Sequence, residues 1–359
     1  MRAPRYETRS LAQVLPSVAS ALGDPDAANA LQLPQLSQAV VIVVDGLGFE
    51  QLREAQDFVE HLRVAGSEPI DSAFPSTTPA GLATLTLAMP PGLHGFVGAT
   101  FELPDFECVL NPLHWEADPA PEAVQPEPNM FARMQGIAVR SHGPAAYAAS
   151  GMTRTLLGGA TPRPYEQFDP KSVLAEDGAL DYVYLPQLDK VGHVEGALTP
   201  AWFKTLREID RIVGQLRERV PATGGLFITG DHGMVTVPDG SRIYVDDVEF
   251  QSGVRLMCGE PRMRHLYTNT PDDVSERWQA LLGERAVVLT REAALEMGLF
   301  GPWDECLTDR IGDVIAIAQD EWAFTSRVVD PKVSGLRGLH GGLTDAELLV
   351  PGLLLSGVA

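Results

Sequence analysis

At 359 residues, 45% of them hydrophobic and 21% charged, the chain is long enough to bury a large core as one α/β unit. The formal net charge of −21 argues against nucleic acid polymers and anionic membranes as bulk partners, since both would repel it. Cys108, Cys258 and Cys306 are odd in number and far apart, so neither a disulfide framework nor a cysteine zinc site is indicated, and a reducing cytoplasm is the expected location.

In chain order, the first feature is Leu11–Leu22, an apolar stretch that follows Arg2 and Arg5 and ends in small residues. Gln13, Pro16, Ser17 and Ser20 interrupt it and Glu7 sits in the would-be basic region, so it reads as folded chain rather than as a secretion signal. No other segment approaches the uninterrupted apolar length of a membrane span, and no membrane partner is expected. Residues 39–44 form an apolar, β-branched run that stops at Asp45, which predicts a buried parallel strand with an acid at its carboxyl end. Open α/β sheets place their ligands at that edge. A helix near 48–56 follows.

Phe74-Pro75-Ser76-Thr77-Thr78-Pro79-Ala80-Gly81 sets a hydroxyl at the start of a helix predicted over 78–88. Thr78 suits the N-cap and Pro79 the first helical position, and the free N–H groups behind them would receive an anion. An ordinary capped helix would carry the same residues. His94, in Pro90-Pro91-Gly92-Leu93-His94-Gly95, is expected to close the helix end structurally. His114-Trp115, with Phe101 and Phe106, fits either a pocket for an aryl group or core packing, and the proline- and acid-bearing stretch 116–128 reads as a surface loop. A strand over 182–185 then leads to Asp189 and His193, which share one face of a helical turn. A helix over 198–218 precedes a strand over 225–229 that ends in Gly230-Asp231-His232-Gly233, where two glycines permit the irregular turn that lets adjacent side chains face one ligand. Near the carboxyl terminus, His340 lies in Gly338-Leu339-His340-Gly341-Gly342. These strands and helices alternate in the manner of a doubly wound sheet.

Asp45, Asp189, Asp231, His193, His232 and His340 make three carboxylates and three imidazoles, the donor set that zinc and other first-row divalent ions accept. Six such ligands fit two metals better than one. Three aspartates against two divalent cations leave net positive charge, which welcomes an anion and favours deprotonation of Thr78. Two-metal sites of this kind clamp the attacking and leaving oxygens of an in-line phosphoryl transfer.

In their order and spacing, Asp45-Gly46, Pro75-Ser76-Thr77-Thr78 with His94-Gly95, Leu188-Asp189 with Gly192-His193, Gly230-Asp231-His232-Gly233-Met234 and His340-Gly341 resemble the alkaline phosphatase superfamily. Within it they are most similar to the type I phosphodiesterase and nucleotide pyrophosphatase branch. The resemblance runs from about residue 39 to about residue 355. It implies an alkaline phosphatase-like α/β three-layer sandwich, with a central, mostly parallel sheet and helices on both faces. It also implies a single catalytic domain over 1–359, with a small cap within 240–335 that sets substrate size. Thr78 would be the nucleophile, with Asp189, His193 and His340 on one metal and Asp45, Asp231 and His232 on the other, the latter also holding the Thr78 oxygen. The ions would be Zn2+, with Mn2+ as the alternative.

The implied activity is hydrolysis of a small anionic phosphate ester, diester or pyrophosphate, through a phospho-threonine intermediate. A phosphomonoesterase, phosphonate hydrolase or phosphomutase on the same scaffold is the alternative, and a non-catalytic binding protein a third. The resemblance departs at Ala99, where an asparagine would help hold the phosphoryl oxygen; Thr100 beside it could replace that contact. Leu87-Ala88 stands where Thr-Gly is usual. The nucleophile segment lacks an arginine for bidentate grip on a terminal phosphate, which favours diesters. Arg154, Arg262 and Arg264, on basic islands in an acidic protein, are the further candidate substrate contacts.

Overall fold

The structure is a computed structural model that describes residues 2–333 and 335–358. Its central sheet contains β1 (Ala39–Val44), β2 (Ala138–Pro144), β3 (Thr161–Tyr165), β4 (Ala179–Leu185), β5 (Gly225–Thr229) and the C-terminal strand Leu353–Ser356. In space they run Leu353–Ser356, β5, β1, β4, β2, β3. All neighbours are parallel except the C-terminal strand, which pairs antiparallel with β5.

β1 is continuously apolar because it is buried on both faces. Ala39, Val41 and Val43 join a core layer with Leu15, Phe74 and Leu85, while Val40, Ile42 and Val44 join the opposite layer with Leu52, Leu206 and Val213. Helices α1 (Val14–Ala21) and α3 (Thr78–Leu87) therefore cover one face, and α2 (Phe49–Glu54) and α6 (Pro200–Arg217) the other, with α4 (Gly151–Leu157) and α5 (Gln187–Glu195) introduced between them in sequence. The expected helix over 198–218 is α6, capped by Thr199, whose Oγ1 accepts the Trp202 N–H at 3.4 Å. No helix among the described residues is long and apolar enough to cross a membrane.

The register aligns the ends of three strands. Val44 lies opposite Leu185 and Val43 opposite Thr229, so Asp45, the entry to α5 and Gly230-Asp231 all emerge at one carboxyl edge.

A second sheet is antiparallel, in the order Leu256–Glu260, Met263–Tyr267, Val314–Ala318, Ala286–Thr290, with α7 (Pro271–Leu282) packed on it through Trp278 and Leu282. It falls inside 240–335 and has its own core of Ile243, Val245, Trp278 and Phe324. The 116–128 stretch is not purely surface. It holds a short helix, Pro121–Val124, buries Val124, and sends the Gln125 amide to the His94 carbonyl at 2.9 Å. Phe101 and Trp115 are core residues, whereas Phe106 is exposed.

Candidate active site

Thr77, not Thr78, caps α3. Thr77 has extended backbone and its Oγ1 accepts the Ala80 N–H at 3.4 Å, so Thr78 is the first helical residue and Pro79 the second. The one-residue shift is possible because proline is tolerated throughout the first turn, where N–H groups have no intrahelical acceptor. Its consequence is chemical: capping does not consume the Thr78 hydroxyl. That oxygen lies 3.1 Å from His232 Nε2 and 3.5 Å from Asp45 Oδ1.

Around it the six predicted ligands converge from four segments. Asp45 leaves the end of β1, and the Asp189 N–H at the start of α5 donates to the Asp45 carbonyl at 3.1 Å, which ties the two segments together. Gly46 makes this possible, since it has φ +73 and a Cβ there would lie 3.0 Å from the Asp189 Cα. Asp189 and His193 are one turn apart on α5, with Oδ2 and Nε2 separated by 3.3 Å. His340 Nε2 is 3.3 Å from His193 Nε2 and 3.9 Å from Asp189 Oδ1. On the other side His232 Nε2 is 3.4 Å from Asp45 Oδ1 and 3.7 Å from Asp231 Oδ2, and its ring stacks on His340 at 3.6 Å between centroids.

Donor atoms of Asp189, His193 and His340 lie within 4.8 Å of one another, as do those of Asp45, Asp189 and His232. Asp189 thus belongs to both groups, and Asp231 to neither, although its Oδ1 accepts the Gly46 N–H at 3.1 Å.

Three observations test whether the cluster fits cations. First, each imidazole donates through Nδ1 to a backbone carbonyl: His193 to Gly338 at 2.7 Å, His232 to Gly233 at 2.8 Å and His340 to Ser76 at 2.9 Å. Nδ1 thus carries a proton in each ring, and all three Nε2 atoms turn inward, where His193 and His340 present lone pairs. Second, the His193 and His340 lone pairs then meet with no proton between them, an arrangement that a positive ion relieves. Third, Asp189 Oδ1 and Asp231 Oδ2 are buried without a hydrogen-bond partner.

Protonation equilibria point the same way. Burial, then the charge of Asp45, pushes Asp231 up to about 7 and Asp189 well above the carboxylate range. Burial also works against ionised Asp45, yet the hydrogen bond and charge of His232 hold it below the usual value. Burial opposes charge on His232, but Asp231 and Asp45 raise it to about 10. His193 and His340 are lowered, first by burial. Protons thus stand in for missing positive charge, and the donor set fits divalent ions.

The sequence gives no separate signal for three supporting residues. The Tyr184 hydroxyl donates to Asp45 Oδ2. Ser76 donates to the Gly342 carbonyl at 2.8 Å and accepts the Gly341 N–H at 3.2 Å, which fixes the His340 loop. Glu347 accepts from Gly342 N at 2.9 Å and binds Arg262 through both oxygens. Only the strand alternation that makes Tyr184 point opposite to Val183 could have flagged the first.

The four expected substrate contacts stand elsewhere. Arg262 and Arg264 are fully buried and ion-paired, Arg262 with Glu347 at 2.8 Å and Arg264 with Asp330 at 2.6 Å. Arg154 pairs with Glu122 at 2.8 Å, and Thr100 exchanges hydrogen bonds with the Gly259 carbonyl and N–H. None of the four lines the cavity of about 380 Å³ that opens onto Thr78, whereas Ala99 does. The walls of that cavity come from Pro112, Leu113 and His114 and from Ser141 to Pro164, with none from 240–335. His94 is remote from the cluster and, as expected, structural: its Nδ1 accepts the Phe96 N–H at 3.0 Å, and Nε2 bonds Thr84 at 3.0 Å.

Residues 39–343 match the sequence profile described as Type I phosphodiesterase / nucleotide pyrophosphatase. No curated protein sequence matches the chain. Solved structures of similar fold include murine ectonucleotide pyrophosphatase / phosphodiesterase 5 in an inactive form in complex with AMP, at TM-score 0.64 and 16% identity, covering 87% of this chain and 86% of that one. The same murine protein in a second structure matches at TM-score 0.63 and 16% identity, and the human one at 0.63 and 14%, with the same coverage. At these identities the likeness concerns the fold, which is the α/β, alkaline phosphatase-like arrangement with a mixed, mostly parallel central sheet.

Proposed function

The chain belongs to the type I phosphodiesterase / nucleotide pyrophosphatase family, and from that premise we propose that it hydrolyses phosphodiesters or pyrophosphates of nucleotide type by way of a phospho-threonine at Thr78. The observation that carries the reading is the Thr78 hydroxyl, left free of helix capping and turned to His232 at 3.1 Å and Asp45 at 3.5 Å at the N-terminus of a buried helix.

In this reading Asp189, His193 and His340 hold one divalent ion, and Asp45, Asp231 and His232 the other, with zinc the first choice and manganese the second. When bound, two such ions supply Lewis acidity that lowers the pKa of a hydroxyl and offsets phosphoryl charge. The chain's own residues do the rest. Thr78 Oγ1 attacks phosphorus, its P–O bond forms as the bond to the leaving group breaks, and water later cleaves the phospho-threonine to regenerate the hydroxyl. Pro79 has no N–H, and Thr77 takes those of Ala80 and Gly81, so the Thr78 N–H is the first-turn donor left for a phosphoryl oxygen, a role that Ala99 cannot share through a side chain. AMP bound to the murine relative supports a nucleotide as the esterified group. The small antiparallel sheet within 240–335 is then the inserted cap, and it braces the site from behind through Arg262 and Glu347 rather than walling the cavity.

The test is a comparison of rates on bis(4-nitrophenyl) phosphate, 4-nitrophenyl phosphate, a dinucleoside polyphosphate and 4-nitrophenyl sulfate. The diester and polyphosphate are expected to exceed the monoester by at least about tenfold, and chelation should abolish activity that zinc or manganese restores. A faster monoester would reverse the assignment to the phosphomonoesterase class.

A further inference from the structure

Lys190 is the one lysine or arginine among the described residues that line the Thr78 cavity. Arg154, Arg262 and Arg264 are each bound to an acid. The Lys190 ammonium instead rests 5.5 Å from the centroid of the Tyr147 ring, which lines the same cavity. A cation–π contact at an exposed position is weaker than a charge-assisted hydrogen bond to an ionised phosphate. The ammonium is therefore held at the cavity by an interaction that an arriving anion outcompetes. Its neighbour Asp189 is turned into the ligand cluster, where its Oδ2 lies 3.3 Å from His193 Nε2.

We propose that Lys190 is a specificity-determining residue that binds a second anionic group of the substrate, one phosphate removed from the phosphoryl group that reacts at Thr78. The inference rests on the phosphodiesterase and pyrophosphatase reading above and narrows it, because it makes a phosphoanhydride the preferred linkage over a phosphodiester with a single charge. The cavity is large enough for that. At about 380 Å³ it falls within the usual range for small-molecule sites, with room for a nucleoside-sized group beside the phosphates. Leu113, Met152, Leu156 and Leu157 also line it and bring no charge with which to bind a further phosphate. Outside the ligand cluster, Lys190 is therefore the one lysine or arginine among the described cavity residues that discriminates by charge.

The experiment uses two matched pairs of ligands on the zinc-loaded protein. In the kinetic arm, Lys190→Gln should raise KM for a dinucleoside diphosphate about tenfold, with at most a two- to threefold rise for the dinucleoside monophosphate, and Lys190→Arg should recover most of the loss. In the binding arm, calorimetry in a Thr78→Ala background should show ADP weakened about tenfold by Lys190→Gln and AMP weakened at most two- to threefold. Equal effects on both members of a pair would overturn the proposal, because they would reduce Lys190 to a general attractor of anions. No effect on either would overturn it as well. Wild-type protein that cleaves neither dinucleotide would refute the proposed function, while the binding arm would still decide the role of Lys190.

Discussion

Thr78 and Tyr184 touch the same carboxylate, Asp45, from opposite sides, and their hydroxyls do different work. In the proposed function Thr78 offers its oxygen to the reaction, whereas Tyr184 donates its proton to Asp45 Oδ2 and so aims Oδ1 at Thr78 and His232. Removing the first should leave the ligand cluster whole: Thr78→Ala is expected to lower kcat by at least about a thousandfold, with metal content unchanged by elemental analysis. Removing the second should loosen the cluster. Tyr184→Phe is expected to weaken metal affinity by about tenfold or more, read by competition with a chelator, because residues that orient ligands typically carry that much. Full activity in the alanine variant would dismiss Thr78 as nucleophile. At this scale the sequence was most legible where acids and histidines follow apolar runs, since Asp45 and Asp231 are fixed by where strands end. It was least legible for Tyr184 and Ser76, whose residue types are ordinary and whose roles arise only when distant loops meet.

Helix α3 explains how an uncharged segment comes to lie so deep. Every residue from Thr78 to Leu87 is buried, so the sequence shows apolar character all round instead of a stripe. Its helical character was readable from Thr77-Thr78-Pro79, but the start was displaced by one residue, because two adjacent hydroxyls both qualify as caps. Gly81 gives a feature that the motif alone did not explain. A Cβ at that position would lie 2.5 Å from the Asp231 carbonyl oxygen, so the first turn of α3 can approach the end of β5 only with glycine there. Gly81→Ala should therefore push α3 away from Asp231 and His232. The expected cost is about 1–3 kcal/mol in thermal or denaturant unfolding, with a loss of kcat larger than partial unfolding accounts for. An alanine variant with wild-type activity would show that the Thr78 to His232 spacing tolerates movement of the helix.

Across the whole molecule, buried polar groups join the central sheet to the 240–335 segment. Arg262 and Arg264 looked like phosphate contacts because they are basic islands in an acidic chain. Each instead meets an acid far away in sequence, Glu347 or Asp330, a pairing that spacing cannot reveal. The cavity walls were equally hidden, since Leu113, Met152 and Leu156 have the composition of any core. The layered sheet was legible because β1 must be apolar on both faces to lie between two helical layers.

His94 and His265 extend this buried network into a dependence on pH. His265 donates through Nε2 to the Val97 carbonyl at 2.8 Å and accepts the Gly312 N–H at Nδ1, 3.1 Å away, while His94 accepts at Nδ1 from Phe96. Both are therefore neutral in the fold. Burial, aided by Arg310, lowers His94 to about 3, and burial lowers His265 to about 4. An unfolded chain binds protons at both below pH about 6.5, and the folded chain does not until pH 3–4, so protonation favours unfolding across that interval. Stability should fall as pH drops from about 6.5 toward 4, with each histidine contributing a slope of up to about 1.4 kcal/mol per pH unit. Denaturant titrations by circular dichroism at half-unit steps would measure it. His265→Gln, which removes one titrating ring, should reduce the slope in that window even if it lowers stability at every pH. An unaltered slope would dismiss His265 as a source in that window, where Glu347 does not substitute for it: opposed by burial but held low by Arg262, it loses its stabilising charge only as pH falls below the usual carboxylate range.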